Sequence, residues 1–176
     1  MSSQNLSGAG MPDPESRPPA WAGQFYPGTP DELNRALDVL LADRPQPEPW
    51  AGAMVPHAGW VYSGRLAAAV LSRVKIPDRV IIFCPGHRPS GAAWAVAPHR
   101  VWSLPGRDVE SDPELARRLA DAVTGLELDP VAHRSEHAIE VELPLVARLA
   151  PHARVVGIAI HGGDLVSLGR FADELA

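Results

Sequence analysis

Apolar residues along the chain follow two alternating patterns, short continuous runs and longer stretches with helical spacing. Continuous runs are typical of buried strands that are covered on both faces, and they occupy residues 50–55, 79–84 and 154–160, with shorter runs at 92–97 and 101–104. Apolar positions with helical spacing follow Thr29, Ser63, Ser111 and Asp164, and they also occupy residues 136–149. Strands that alternate with helices predict an α/β fold with a mostly parallel sheet.

The helix starts carry capping signals. Thr29 can cap the first helix, Pro30 suits its first turn, and Glu32 completes a capping box. Pro144 interrupts the helical pattern of residues 136–149, so we expect the helix to kink or restart there.

The N-terminal region differs in composition from the rest of the chain. Residues 1–19 are rich in Ser, Gly and Pro and show neither a helical nor a strand period. A segment of this kind buries too little apolar surface to order itself, so it predicts a disordered leader that is dispensable for folding. Residues 20–176 are then expected to form a single domain.

Composition excludes several classes of function. The net charge is −5 and no basic block is present, which argues against nucleic acid as a partner. No apolar run approaches the roughly 18 residues of a membrane helix. The one cysteine, Cys84, allows no intramolecular disulfide, so a cytoplasmic protein is expected. Cys84 is either an inert buried hydrophobe or a ligand near His87.

Histidines follow three of the predicted strands. His57, His87 and His161 come just after apolar runs, and Pro or Gly residues beside them turn the backbone. Ligands collect beyond the carboxyl ends of parallel strands, and neutral imidazole is the commonest metal-ligand side chain. The spacing therefore predicts a shared metal site for His57 and His87, with a capping or core role as the alternative for each single histidine.

The cluster Glu136-His137-Ala138-Ile139-Glu140 is the other candidate for chemistry. A solvated charged helix face would explain it, since residues three and four apart are neighbours on a helix. The functional alternative is a catalytic acid or base, His137, at the rim of the pocket. No G-x-S-x-G elbow, phosphate loop or G-x-G-x-x-G is present, so hydrolase and nucleotide-binding functions lack their motifs.

These motifs together resemble one known family. AGQFYP, VPHAGWVYSG, CPGH and EHAIEVELP occur in the order found in the Memo family, whose bacterial and archaeal members are called AmmeMemoRadiSam system protein B; they occupy residues 22–27, 55–64, 84–87 and 136–144. The resemblance runs from about Trp21 to the end of the chain. It implies a three-layer αβα fold with a mostly parallel or mixed central sheet, related to the class III extradiol dioxygenases.

The resemblance also implies a cofactor and partners. His57 and His87 match the family's metal-binding histidines, so Fe(II) or copper is expected, with Zn as a further possibility. Metal-dependent redox activity then makes the protein an oxidoreductase, if it is an enzyme. The system's name implies a radical-SAM partner and an AMMECR1-like partner.

The chain departs from the family pattern at its C-terminal end. The family's third ligand, a cysteine, comes from a segment beyond Ala176, so we expect a fold that is incomplete at the C-terminus. His161 could replace that cysteine and give a three-histidine site, which would favour Fe(II) or Zn(II) over copper. The alternative is a truncated, inactive scaffold or binding module. Apolar surface left uncovered at the end of the chain would then favour a homodimer.

Overall fold

The computed structural model describes residues 15–176. Strands and helices alternate along this part of the chain, which confirms the α/β class. In chain order the elements are β1 (Ser16–Arg17), α1 (Pro30–Leu40), α2 (Trp60–Leu71), β2 (Arg79–Pro85), β3 (Trp94–Val96), β4 (Val101–Leu104), β5 (Arg107–Glu110), α3 (Pro113–Ala122), β6 (Leu126–Leu128), α4 (Pro130–His133), α5 (Leu143–Leu149), β7 (Arg154–Ile160) and α6 (Leu165–Leu175).

The central sheet is mixed and has β7 near its middle. Its four strands lie in the order β2-β7-β3-β6. β2 is parallel to β7 and β3 is parallel to β6, whereas β3 and β7 are antiparallel. A second sheet of three strands has the order β1-β4-β5.

Alternate residues of β7 enter two different cores, because side chains of a strand point to opposite faces. Val155 and Ala159 pack in the core that includes Leu37 of α1 and Ala67 of α2. Val156 and Ile158 pack in the core that includes residues of α3 and α6. Helices therefore cover both faces of the sheet, and the predicted three-layer αβα arrangement is confirmed.

The cap predicted at Thr29 is observed, whereas the helix expected to open at Ser63 begins at Trp60, with Gly59 as its cap. The Thr29 hydroxyl accepts a hydrogen bond from the backbone N–H of Glu32 at 3.4 Å and donates one to the Glu32 carboxylate at 2.8 Å. Pro144 lies in the first turn of α5, so a helix begins beside this proline, but no helix precedes it to be kinked or restarted. The helix predicted for the residues before α5 is wrong, because residues 136 and 137 have no regular secondary structure and residues 138–142 form turns. The Glu136 side chain accepts hydrogen bonds from the backbone of this segment and so competes with helical pairing.

The strand predicted at residues 50–55 is also wrong. This segment has no strand, and the nearest pairing is an isolated bridge between Glu48 and Val74. Ala51, Gly52 and Ala53 bury little apolar area and are exposed. The prolines on both sides of the segment lack the N–H that a strand ladder needs.

The boundary predicted for the leader requires a correction. Ser16 and Arg17 form β1, which pairs with β4, and Arg17 is buried with 2% of its surface exposed. Residues 16 and 17 are therefore part of the fold, and the folded region begins before residue 20. The rest of the predicted leader, residues 1–14, lies outside the described residues.

Four short elements are absent from the sequence prediction: β1, β5, β6 and α4. Each has four residues or fewer, and most of their positions are polar or small, so they carry no clear apolar period. Within residues 15–176, no helix is long and apolar enough to cross a membrane.

Candidate metal centre

Three histidines converge at one edge of the central sheet. His57, His87 and His137 each offer a ring nitrogen, and these nitrogens lie within 4.8 Å of one another. The ring centroids of His57 and His87 are 5.2 Å apart, and those of His87 and His137 are 4.4 Å apart. The predicted proximity of His57 and His87 is therefore observed, and His137 joins them.

Hydrogen-bonded loops position His57 and His87 at this site. His87 follows β2, and the backbone N–H of Gly86 donates to the carbonyl of Ile160 at 2.8 Å, which continues the pairing of β2 with β7. His57 lies in the loop before α2. The Ser63 hydroxyl donates to the carbonyl of Ala58 in that loop at 2.7 Å, which fixes the loop against the helix.

His137 reaches the group from the turn that follows α4. Two aromatic rings from the N-terminal part of the chain pack against it. Its ring centroid lies 4.7 Å from that of Phe25 and 5.9 Å from that of Trp21. These half-buried rings shield one side of the site from water.

Glu136 connects His87 to the turn that carries His137. Its carboxylate accepts a hydrogen bond from the backbone N–H of His87 at 2.7 Å, and its Oε1 lies 2.9 Å from the ring Nδ1 of His87. It also accepts from the backbone N–H groups of His137 at 2.9 Å and Ala138 at 3.0 Å. The side chain of Glu136 is 1% exposed, so the predicted solvated charged face is not what the structure shows at this residue.

The surroundings of the site favour an ionised Glu136 and neutral forms of His57 and His137. Burial by itself raises the pKa of Glu136, but hydrogen bonds from the backbone N–H groups of His87 and Ala138 outweigh it, and the pKa falls below its usual value. Burial lowers the pKa of His57, and the neighbouring His87 lowers it further. Burial also lowers the pKa of His137, against the opposing effect of Glu136. Neutral imidazole is the form that binds metal.

A buried ion pair stabilises the segment that carries Glu136 and His137. Arg17 pairs with Glu140, and the Arg17 guanidinium also donates to the carbonyl of Glu136 at 2.7 Å. Glu140 in turn accepts from the backbone N–H of Trp21 and from the Tyr26 hydroxyl, both at 2.8 Å. These contacts join β1, Trp21 and Tyr26 to the segment that carries His137.

His161 lies beside the group but is not one of the three histidines that it contains. Its ring packs directly over Gly86, so closely that a Cβ added to Gly86 would lie 1.2 Å from the His161 Cδ2. Its Nε2 is buried and has no hydrogen-bond partner among residues 15–176. Ligation by His161 stays a prediction, and the structure gives the third position of the group to His137.

Replacing Gly86 with Ala is expected to lower the free energy of unfolding by about 1–3 kcal/mol, because the new methyl group overlaps the His161 ring. In a His161→Ala background the same change should cost little, since the ring is absent. Gly169→Ala is the control: Gly169 lies in α6 with open space around its Cα, and alanine there should stabilise by up to about 1 kcal/mol. Urea denaturation measures all of these variants, and an equal cost in both backgrounds would contradict the predicted overlap.

Cys84 takes no part in the histidine group. It is buried, and this burial together with the nearby Glu136 charge raises the pKa of its thiol to about 12. The thiolate is the metal-binding form of cysteine, so the structure favours the inert alternative for Cys84.

Sequence reasoning missed the structural role of Glu136. The signal was the pair Glu136-His137, but a helical interpretation of residues 136–149 placed it on a solvated face. A buried acid next to a histidine becomes informative only when the backbone is known to turn there.

Comparison with known proteins identifies the family of this chain. A family model described as Memo-like protein matches residues 17–176. A MEMO1 family protein of Aquifex aeolicus is 38% identical over 135 residues, which cover 76% of this chain and 50% of that protein. A MEMO1 family protein of Methanococcoides burtonii is 39% identical over 140 residues, with coverages of 76% and 50%. The chain spans about half the length of these curated relatives. On the strength of these matches, the chain belongs to the Memo family.

Proposed function

We propose that this protein binds one redox-active metal ion, Fe(II) or copper, through His57, His87 and His137. The observation that carries the proposal is the convergence of three ring nitrogens within 4.8 Å. Imidazole suits iron, copper and zinc, and such sites are selected by geometry and ligand type. The donor set is therefore compatible with the metals that the family resemblance implies.

The residues around the histidines suit a bound cation. The lowered pKa values of His57 and His137 leave a nitrogen lone pair available at neutral pH. Glu136 adds a negative charge beside the group. Carboxylates that accept a hydrogen bond from a metal-binding histidine orient its ring and raise its basicity. Fe(II) or copper, once bound, would supply one-electron chemistry towards O₂.

His137 has two possible tasks at this site. As a third ligand it would complete a three-nitrogen set with His57 and His87, whose rings lie 5.9 Å and 4.4 Å from its own between centroids. As an acid or base it would transfer a proton to or from a substrate held beside the ion. The proximity of its nitrogen to the other two favours ligation.

Metal content and affinity of the purified protein test the proposal. His57→Ala, His87→Ala and His137→Ala should each weaken binding of Fe(II) or Cu(II) by at least about 100-fold, since changes outside the ligand set already cost ~10–100-fold. His152→Ala is the matched control, because His152 is exposed and is not part of the histidine group. Its Nε2 lies 3.1 Å from a carboxylate oxygen of Asp78. The affinity of His152→Ala should equal that of the wild type.

The outcomes separate the roles of the histidines. If all three variants bind metal like the wild type, the metal site is contradicted. If only His137→Ala keeps full affinity but loses O₂-dependent activity, His137 is the acid or base and the two other histidines hold the ion. If Zn(II) alone is bound tightly, the redox part of the proposal is contradicted, since Zn(II) has no redox chemistry.

A second candidate function, a non-catalytic scaffold or binding module, is favoured by exposed apolar residues on α2. Val61 and Tyr62 are 93% and 89% exposed, and Leu66 lies one turn after Tyr62 at 58% exposure. Contiguous exposed apolar surface marks interaction sites. Sedimentation should then show wild-type dimers that Tyr62→Glu converts to monomers. A monomeric wild type at high concentration would count against self-association through this face.

A further inference from the structure

We propose that Glu136 is a positioning residue that holds His87 in the tautomer with its proton on Nδ1, so that Nε2 is the atom presented for ligation. The tautomer is a property of the metal-free protein. Only its consequence for metal binding rests on the proposed function.

One carboxylate grips both the main chain and the ring of His87. Its Oε2 accepts from the His87 backbone N–H at 2.7 Å, and its Oε1 lies 2.9 Å from Nδ1 of the same residue. A rotation of the imidazole about its side-chain bonds would break the second contact while the first still held the backbone. The ring is thus fixed in one orientation.

The chemistry of the acceptor determines the position of the proton. An ionised carboxylate can only accept hydrogen bonds, and a neutral imidazole has one donor nitrogen and one acceptor nitrogen. Nδ1 of His87 must therefore be the donor, and the lone pair of His87 is then on Nε2.

The other partners of Glu136 require that it stay a pure acceptor. The backbone N–H groups of His137 and Ala138 donate to Oε1 at 2.9 Å and 3.0 Å. The backbone N–H of His87 donates to Oε2, so three backbone N–H groups hold this carboxylate as an acceptor, and the ring Nδ1 of His137 lies farther from Oε1, at 3.4 Å. The same side chain fixes the backbone of His137, whose ring centroid is 4.4 Å from that of His87.

Glu136→Gln changes this arrangement with almost no change of shape. The amide NH₂ must face either the backbone N–H of His87 or its ring nitrogen. Facing the ring, it would turn Nδ1 into an acceptor and move the proton to Nε2. Facing the backbone, it would oppose a donor with a donor and loosen the His87 connection.

Nitrogen-15 NMR of the metal-free protein with labelled histidine tests the proposal. Two-bond proton–nitrogen correlations at a pH where His87 is neutral report which ring nitrogen carries the proton, and a His87→Asn sample assigns the signals. The wild type should show the Nδ1–H tautomer. Glu136→Gln should show the Nε2–H tautomer or a mixture if its NH₂ faces the ring, and faster hydrogen exchange of the His87 backbone N–H if its NH₂ faces the backbone. Glu142→Gln is the control, because Glu142 is also a buried acid but is not a partner of His87, and it should leave the signals unchanged.

Two results would overturn the proposal. A wild-type His87 with its proton on Nε2 is one, and it is decisive even if Glu136→Gln fails to fold. The other is a folded Glu136→Gln variant in which both the His87 tautomer and the hydrogen-exchange protection of the His87 backbone N–H are unchanged, because either orientation of the amide should alter one of the two.

Zn(II) binding separates this proposal from the proposed function. If His87 supplies Nε2, Glu136→Gln should weaken Zn(II) affinity by about 10–100-fold, with Glu142→Gln unaffected. A protein that binds no metal but shows the Nδ1–H tautomer, lost in Glu136→Gln, would contradict the metal site and support the positioning role. If the protein binds metal but Glu136→Gln changes neither the His87 connection nor the Zn(II) affinity, the metal site is supported and the positioning role is contradicted.

Discussion

Replacing Arg17 with Met is expected to lower the free energy of unfolding by about 3–5 kcal/mol, the usual cost of leaving one partner of a buried ion pair alone. The side chains of Arg17 and Glu140 are 2% and 0% exposed. The guanidinium also donates to the carbonyls of His133 at 3.1 Å and Glu136 at 2.7 Å. Met fills a similar volume but leaves the two carbonyls without this donor and the Glu140 charge without its cationic partner. Urea denaturation at neutral pH measures the loss.

Arg100→Met is the matched control for this experiment. Arg100 pairs with Glu15 at 3.0 Å, but the two side chains are 64% and 61% exposed, so removal of this pair should cost less than about 1 kcal/mol. Adding Glu140→Gln to Arg17→Met should recover part of the loss, because the unpaired buried charge is gone. A cost for Arg17→Met no larger than for Arg100→Met would contradict this account and would restore residue 17 to a dispensable leader.

Glu142→Gln should remove a pH dependence of stability. Glu142 is 4% exposed, and its Oε2 has no hydrogen-bond partner among the described residues. Burial raises the pKa of this carboxyl from 4.5 to about 8. Between these two values the unfolded chain has lost the proton and the folded chain retains it. The contribution of protonated Glu142 to the free energy of unfolding is therefore complete below about pH 4.5. It is lost as the pH rises towards 8, by at most ~1.4 kcal/mol per pH unit.

The comparison of Glu142→Gln with the wild type isolates this group from the histidines. Glutamine mimics the protonated acid at every pH, so the variant should gain on the wild type by roughly 3 kcal/mol between pH 4.5 and pH 7. Denaturant midpoints across this range provide the measurement. Glu114→Gln, at an exposed position of α3, should show no such gain. A constant difference between wild type and Glu142→Gln would mean that Glu142 is ionised in the folded protein.

The parts of the fold that were predictable are those fixed by local pattern. β7 was found because a strand buried on both faces is apolar along most of its length. β2 was found from a similar apolar run, although it is an edge strand with Phe83 exposed. The start of α1 was found because its cap uses residues three positions apart. Residues 50–55 misled because an apolar run does not by itself supply a pairing partner, and here the segment stays exposed.

Long-range contacts explain what the sequence could not show. Residues 1–19 are polar, so composition assigned all of them to a disordered leader. Arg17 is nevertheless buried, in an ion pair with Glu140. The two residues are 123 positions apart, so local composition could not show this contact. Likewise, His57 and His87 were predictable from their places beside apolar runs, while His137 and Glu136 came together with them only through a turn where a helix was expected.

The most direct test of the metal centre is an anomalous X-ray diffraction map of crystals of the protein loaded with Fe(II) under anaerobic conditions. We expect one strong peak per chain at the iron edge, at about 2.0–2.2 Å from a ring nitrogen of each of His57, His87 and His137, as for other metal–imidazole bonds. No peak at full loading, or a peak that these histidines do not surround, would contradict the proposed metal centre.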